Sequence, residues 1–157
     1  MQERAAGRAR LALAALPEKR ALVHGHCHQK AFDAAGATVD MLRWIPELDV
    51  KPIESSCCGM AGAFGYAASH YDVSMRMGEL SLLPAVREAD EATLVVADGT
   101  SCRHQIADGT RTSGEREAVH AIRVLARAAE RAGTPKRRRR RGDRLRDALG
   151  VPAREWG

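Results

Sequence analysis

The stretch "ATLVVAD" (residues 92–98) is the strongest constraint on how this chain folds. A continuous apolar run of that length, with no polar alternation, marks a strand buried on both faces, and such strands belong to parallel sheets covered by helices on each side. Two more short β-prone segments precede it. "ALVHGH" (21–26) reads as one strand and "VKPIESS" (50–56) as another, with Pro52 suited to the start of a strand or to an edge. Between them, residues 29–43 carry an Ala-rich apolar stripe and read as a helix. Residues 66–89 read as a second helix, with Val73, Met77 and Leu80 on its buried face and Pro84 dividing it. "GTSCRHQIADGT" (99–110) reads as a loop, and residues 116–132 as the closing helix. Strand–helix repeated three times predicts an α/β fold: a small three-layer domain with a mainly parallel sheet flanked by helices. The expected organisation is an N-terminal lead-in over 1–20, the domain over 21–132, and a basic, disordered tail over 133–157.

The cysteines acquire meaning from that strand placement. Cys27 falls just past the first strand, Cys57 and Cys58 past the second, and Cys102 past the third. In a parallel sheet the C-terminal strand ends share one edge, where open α/β sheets build their binding sites. Four thiols distant in sequence are therefore expected in one crevice. Such a set suits a soft metal or an iron–sulfur cluster. Gly59 and Gly62, after the cysteine pair, let the backbone approach a cluster and turn N–H groups toward its sulfurs. The plainer reading is that free cysteines are small buried hydrophobes.

Adjacent cysteines serve one tetrahedral ion poorly, and neither C-x-x-C nor H-x₃₋₅-H surrounds these cysteines. Zinc stays open as an alternative through Cys27, one of the pair, Cys102 and a histidine. So does thiol–disulfide chemistry at Cys57–Cys58, because a strained disulfide is a reducible one. His24, His26 and His28 flank Cys27, and His104 follows Cys102. Each suits hydrogen bonding to a thiolate or to backbone, with direct ligation as the second role. Arg103 is placed to offset the charge of a thiolate-bound cluster. His70 and His120 read as packing or surface residues.

The segments "HGHCHQK", "ESSCCGMAGAFGY" and "ADGTSCRHQ" resemble the cysteine-rich CCG domain. That domain occurs in heterodisulfide reductase and in the iron–sulfur subunits of glycolate oxidase and anaerobic glycerol-3-phosphate dehydrogenase. The match is similar above all to the C-terminal module of fused FAD-linked oxidases acting on D-2-hydroxy acids such as D-lactate, glycolate or D-2-hydroxyglutarate, and it extends over roughly residues 20–130. The resemblance implies a cluster of the [4Fe-4S] type held by Cys27, Cys57, Cys58 and Cys102. His26, His28, Gly59, Gly62, Arg103 and His104 would surround it. It also implies flavoprotein and ferredoxin-type partner domains or subunits, with FAD carried by a partner. The chain has no flavin signature of its own, so it is not expected to be catalytically complete. The family pattern often ends in C-x-x-C, and here Gln105 stands at its second position.

Charge and hydropathy bound the remaining function classes. The chain has a net charge of +5, but residues 1–133 hold 16 Lys+Arg against 17 Asp+Glu, whereas residues 134–157 hold 9 against 3. The body is thus near neutral, which argues against a nucleic-acid-binding protein driven by a global positive field. No apolar run approaches the ~20 residues of a membrane span. A cytoplasmic location is expected, with reduced cysteines and at most a peripheral association with the inner face of the membrane. "KRRRRR" (136–141) can offer weak polyanion contact that salt would screen. Deleting residues 134–157 is expected to abolish retention on a polyanion column. Retention unchanged by the deletion would place the positive surface elsewhere.

Overall fold

The computed structural model describes residues 11–133; the predicted basic tail lies outside them from residue 134 onward, as do residues 1–10. Four parallel strands form the sheet, β1 (Arg20–His24), β2 (Asp49–Pro52), β3 (Leu94–Ala97) and β4 (Ala118–Val119), in the order β2-β1-β3-β4. β1 lies against both β2 and β3, with Ala21 opposite Val50 on one side and Leu94 on the other. Around the sheet run α1 (Cys27–Ala31), α2 (Ala35–Leu42), α3 (Tyr71–Glu79), α4 (Leu82–Glu88), α5 (Thr100–Thr110) and α6 (Ala121–Arg131). The architecture is the α/β fold expected, with one strand more than the sequence suggested.

Strand alternation sorts the core into two layers. Ala21, Val23, Val50 and Val96 turn to one face, where they pack with Val39 and Leu42 of α2 and Val124 and Ala128 of α6. Val95 and Ala97 turn to the other, against Leu82 and Val86 of α4 and Cys102 and Ile106 of α5. Successive side chains on a strand point to opposite faces, so a continuous apolar run is what a doubly covered strand requires. The lead-in also contributes to the first layer: Leu16 is buried in it, and Ala14 N donates to Ala128 O at 3.0 Å.

Several boundaries differ from the sequence reading, each for a local reason. The helix expected over 29–43 is broken into α1 and α2 at Asp33, which takes φ 54°, a left-handed conformation that aspartate tolerates. Pro52 ends β2, an edge strand in the sheet order. The helical segment expected over 66–89 opens with two 3₁₀ turns, Phe64–Tyr66 and Ala68–His70, and breaks at Leu80–Ser81. Pro84 lies inside the first turn of α4, where its missing N–H leaves no intrahelical bond unmade.

The face expected to be buried on α3 is not the buried one. Val73 and Leu80 are exposed, whereas Ser74 and Gly78 are buried, because small residues let α3 lie close over the Cys58 backbone and α5. The largest correction is at 99–110. This stretch is the helix α5 and not a loop, and Cys102, Gln105, Ile106 and Thr110 form its buried stripe. Gly109 is what lets α5 meet α4, since a Cβ there would lie 2.4 Å from Leu83 Cδ1. Among the described residues no helix is long and apolar enough to cross a membrane.

Asp98, immediately after β3, gathers the surrounding helices. Its Oδ1 accepts from Ala121 N at 3.0 Å, at the start of α6, and its Oδ2 accepts from Gln29 Nε2 at 3.0 Å and Thr38 Oγ1 at 3.1 Å, on α1 and α2. Burial alone would raise its pKa. The Ala121 N–H, the Gln29 amide, the nearby His120 and the Thr38 hydroxyl outweigh that and hold it below the usual carboxylate range. A depressed carboxyl pKa gives stability that is present above the unfolded value of ~3.9 and lost as pH falls through the folded one. Asp98→Ala is expected to cost about 2–3 kcal/mol in denaturant unfolding. Asp98→Asn, which cannot change charge, should show a shallower loss of stability below about pH 4 than the parent.

Candidate functional site

The site is built at the carboxyl edge of the sheet, where β1, β2 and β3 end. β1 delivers His24 as its last residue, and the chain turns at once into α1, whose first residue is Cys27. His26 starts that helix. Its Nδ1 accepts from His28 N at 3.2 Å, while its own N–H donates to Gln29 Oε1 at 2.9 Å, a reciprocal cap. Cys27 is thereby fixed on the first turn of α1 and not on a loose loop.

β2 leads to the Cys57–Cys58 pair through Ser55 and Ser56. Lys30 Nζ reaches across from α1 and donates to the Ser55 carbonyl, to Ser55 Oγ at 3.3 Å and to Ser56 O at 3.2 Å. After the pair, Gly59 adopts φ 96°, and a Cβ there would lie 2.1 Å from Ser74 O. Gln105 closes the same contact from α5, its Nε2 donating to Ser74 O at 2.9 Å and to Ser74 Oγ at 3.1 Å. Gln105 is thus a buried amide that fastens the cysteine loop between α3 and α5. Gly62 has φ 68° and faces open space.

The four thiols fall into two neighbouring groups. Cys27 Sγ donates to Cys57 Sγ at 3.3 Å, both half-buried, and Gly59 N donates to Cys57 Sγ at 3.3 Å. Cys58, Cys102 and His24 are all buried, and their ligand atoms lie within 4.8 Å of one another. The vicinal cysteines therefore point to different partners. The contact with Cys102 holds the Cys58 thiol below its usual range against the opposing effect of burial, with help from His24 and the Met60 backbone. The same contact, then burial, pushes Cys102 up. Burial, followed by Cys57, pushes Cys27 up. The two sulfurs of the trio are thus pushed in opposite directions by their mutual contact. Cys57 and Cys58 are adjacent in the chain, so the two groups lie side by side at this edge.

The flanking residues divide. Arg103 donates to Ala97 O at 3.0 Å, Asp98 O at 2.8 Å and Thr100 Oγ1 at 3.2 Å, so its guanidinium is committed to the end of β3. His104 Nδ1 pairs with Tyr66 OH at 2.6 Å on the exposed side of α5. His28 is exposed, its ring between those of His26 and Phe32. His26 packs under Gly99, where a Cβ would come within 2.5 Å of its ring and 2.9 Å of Cys102 Sγ. His70 stacks on Phe64 with centroids 4.1 Å apart, and His120 caps α6. His24, a β1 residue, proves to be the histidine whose ring nitrogen is grouped with the buried thiols. Ser55, Lys30 and Asp98 were missed in the sequence, where only their neighbourhood to the cysteines marks them.

The donor set fits a soft metal or a metal–sulfur cluster: four thiols, and a histidine whose Nε2 is buried without a hydrogen-bond partner. Fold and site together define a parallel α/β domain with a thiol-rich crevice at its carboxyl edge. Over 120 residues, 75% of its length, the chain is 35% identical to a subunit of the anaerobic glycerol-3-phosphate dehydrogenase of Escherichia coli K12. The corresponding subunit from Escherichia coli O157:H7 matches to the same extent. The chain spans 28% of the length of each of these relatives. No family model matches the chain. No solved structure matches it significantly.

Gly59→Ala tests the construction of the cysteine loop. It meets both a positive φ and a backbone oxygen, and is expected to destabilise the protein by more than about 2 kcal/mol in denaturant unfolding. Gly62→Ala, with open space around it, should cost only the backbone strain of its φ, about 1 kcal/mol.

Proposed function

We propose that this chain is an iron–sulfur electron-transfer module of a flavin-linked dehydrogenase. The observation that carries this reading is the convergence of four thiols and one orphaned imidazole nitrogen at a single sheet edge. Similarity to an anaerobic dehydrogenase subunit over most of the chain supports it. Cys27, Cys57, Cys58 and Cys102 would hold the cluster, of the [4Fe-4S] type. A bound cluster supplies one-electron transfer between a flavin and an acceptor. The protein's own part is to present thiolates, beginning with Cys58, to direct the Gly59 N–H at the Cys57 sulfur, and to keep the inner part of the crevice dry. FAD and the oxidised substrate belong to partner domains or subunits. That substrate is an anionic hydroxy compound, glycerol 3-phosphate by the relative's name or a D-2-hydroxy acid by the family resemblance. The assembly works in the cytoplasm or peripherally at the inner membrane face.

A second reading is supported by the buried trio alone. His24, Cys58 and Cys102 offer three ligands to a structural zinc, with a fourth from the Cys27–Cys57 pair. Metal analysis after anaerobic purification separates the two. A brown protein with stoichiometric iron and acid-labile sulfide is expected, whereas a colourless protein with one zinc would replace the first reading by the second. Within the iron reading, Cys102→Ser and Cys27→Ser should each lose nearly all iron. Cys58→Ser, in the buried trio, should lose more than Cys57→Ser. Retention of iron by Cys27→Ser would show that α1 contributes no essential ligand.

A further inference from the structure

His24 ends β1 with both ring nitrogens buried, and they meet different surroundings. Nδ1 lies 2.8 Å from Ser55 Oγ. Nε2 has no hydrogen-bond partner, and a ring nitrogen of His24 lies within 4.8 Å of the sulfurs of Cys58 and Cys102. With Nδ1 engaged by Ser55, Nε2 is the atom left to face the thiols. A neutral imidazole carries one proton, and the nitrogen that holds it decides what Nε2 can do. Unprotonated, it is a metal ligand; protonated, it is a donor.

Ser55 determines which. Its hydroxyl has one hydrogen and two lone pairs. Lys30 Nζ has no lone pair and can only donate, so it occupies one of those lone pairs at 3.3 Å, while also donating to the Ser55 carbonyl. The hydroxyl hydrogen then has two outlets: Ile53 O at 3.5 Å, at the limit of a hydrogen bond, or His24 Nδ1 at 2.8 Å. The shorter contact wins on geometry. An ammonium donating into the oxygen also makes the hydroxyl a better donor, since hydrogen bonds in a chain polarise one another. The chain Lys30 Nζ–H to Ser55 Oγ–H to His24 Nδ1 leaves the proton of the ring on Nε2.

We infer that the Lys30–Ser55 relay fixes His24 as the Nε2–H tautomer, making it a hydrogen-bond donor to the sulfurs of the group held at Cys58 and Cys102, not a ligand. The inference rests on the electron-transfer reading only for its redox consequence; the tautomer is a property of the metal-free protein as well. A donor aimed at cluster sulfur stabilises the more negative, reduced form and raises the potential. His24 is in that sense a positioning residue for charge, and Lys30 and Ser55 act through it.

The test has two arms. In ¹⁵N-labelled, metal-free wild-type protein at neutral pH, long-range ¹H–¹⁵N correlation spectra report which ring nitrogen of His24 bears the proton. The expected result is Nε2–H, with a mixture of tautomers in Ser55→Ala and in Lys30→Met. The Nδ1–H tautomer in the wild type would overturn the inference. In the loaded protein, His24→Gln keeps an N–H donor near the same place, and His24→Leu removes it. Both are expected to retain the parent's iron and sulfide, with the midpoint potential lower in His24→Leu than in His24→Gln. Loss of most iron in both variants, with their folding intact, would make His24 a ligand and overturn the inference. If the purified protein holds no iron, the electron-transfer reading fails, and the tautomer spectrum still decides the state of His24.

Discussion

One carboxylate at the end of the inner strand β3 holds the site edge together. Asp98 stands where three helices would otherwise present unmatched polar groups to a half-buried seam, and it accepts from each of them. Without that acceptor the start of α6, the Gln29 amide of α1 and the Thr38 hydroxyl of α2 would each lose a partner in a low-dielectric setting, where an unmade hydrogen bond is costly. α1 carries Cys27, so the position of the first thiol depends on the same carboxylate. Arg103 reinforces it by tying α5, the helix that carries Cys102, to the Ala97 and Asp98 carbonyls. Two of the chain segments that supply sulfur are thus referred to one point on β3.

Much of this was legible in the sequence because the strands carry strong local signals. "ATLVVAD" predicted a doubly covered strand, and its alternate residues do divide between two core layers. Once the strands were placed, parallel topology alone put the cysteines on one edge. Helix assignments suffered where glycine and polar residues masked a buried stripe. α5 has its buried residues at Cys102, Gln105, Ile106 and Thr110, a helical spacing. Two glycines and several loop-prone residues nonetheless made the segment resemble a turn. On α3 the tertiary demand for close approach put Ser74 and Gly78 inward and left the larger Val73 outside, a choice that no periodicity scan of hydrophobicity can make.

At the site, residue types that announce chemistry were found and those that work through hydrogen bonds were not. Cysteines and histidines are rare enough to be noticed. Ser55 and Lys30 are common surface residues whose role arises only when α1 folds across the end of β2. Asp98 lies close to Cys102 in sequence, but nothing local shows that its partners lie as far away as Gln29 and Thr38.

The buried amide at Gln105 limits what else can stand in its place. It meets Ser74 through two hydrogen bonds in a space that Gly59 and Gly78 keep open. A cysteine at this position would be shorter and a far weaker donor, and would leave the Ser74 hydroxyl and carbonyl without those bonds. A thiol at position 105 would therefore need a new partner for Ser74 or a rebuilt Gly59 turn, so the number of sulfurs this crevice can hold is set by the packing between α3 and α5.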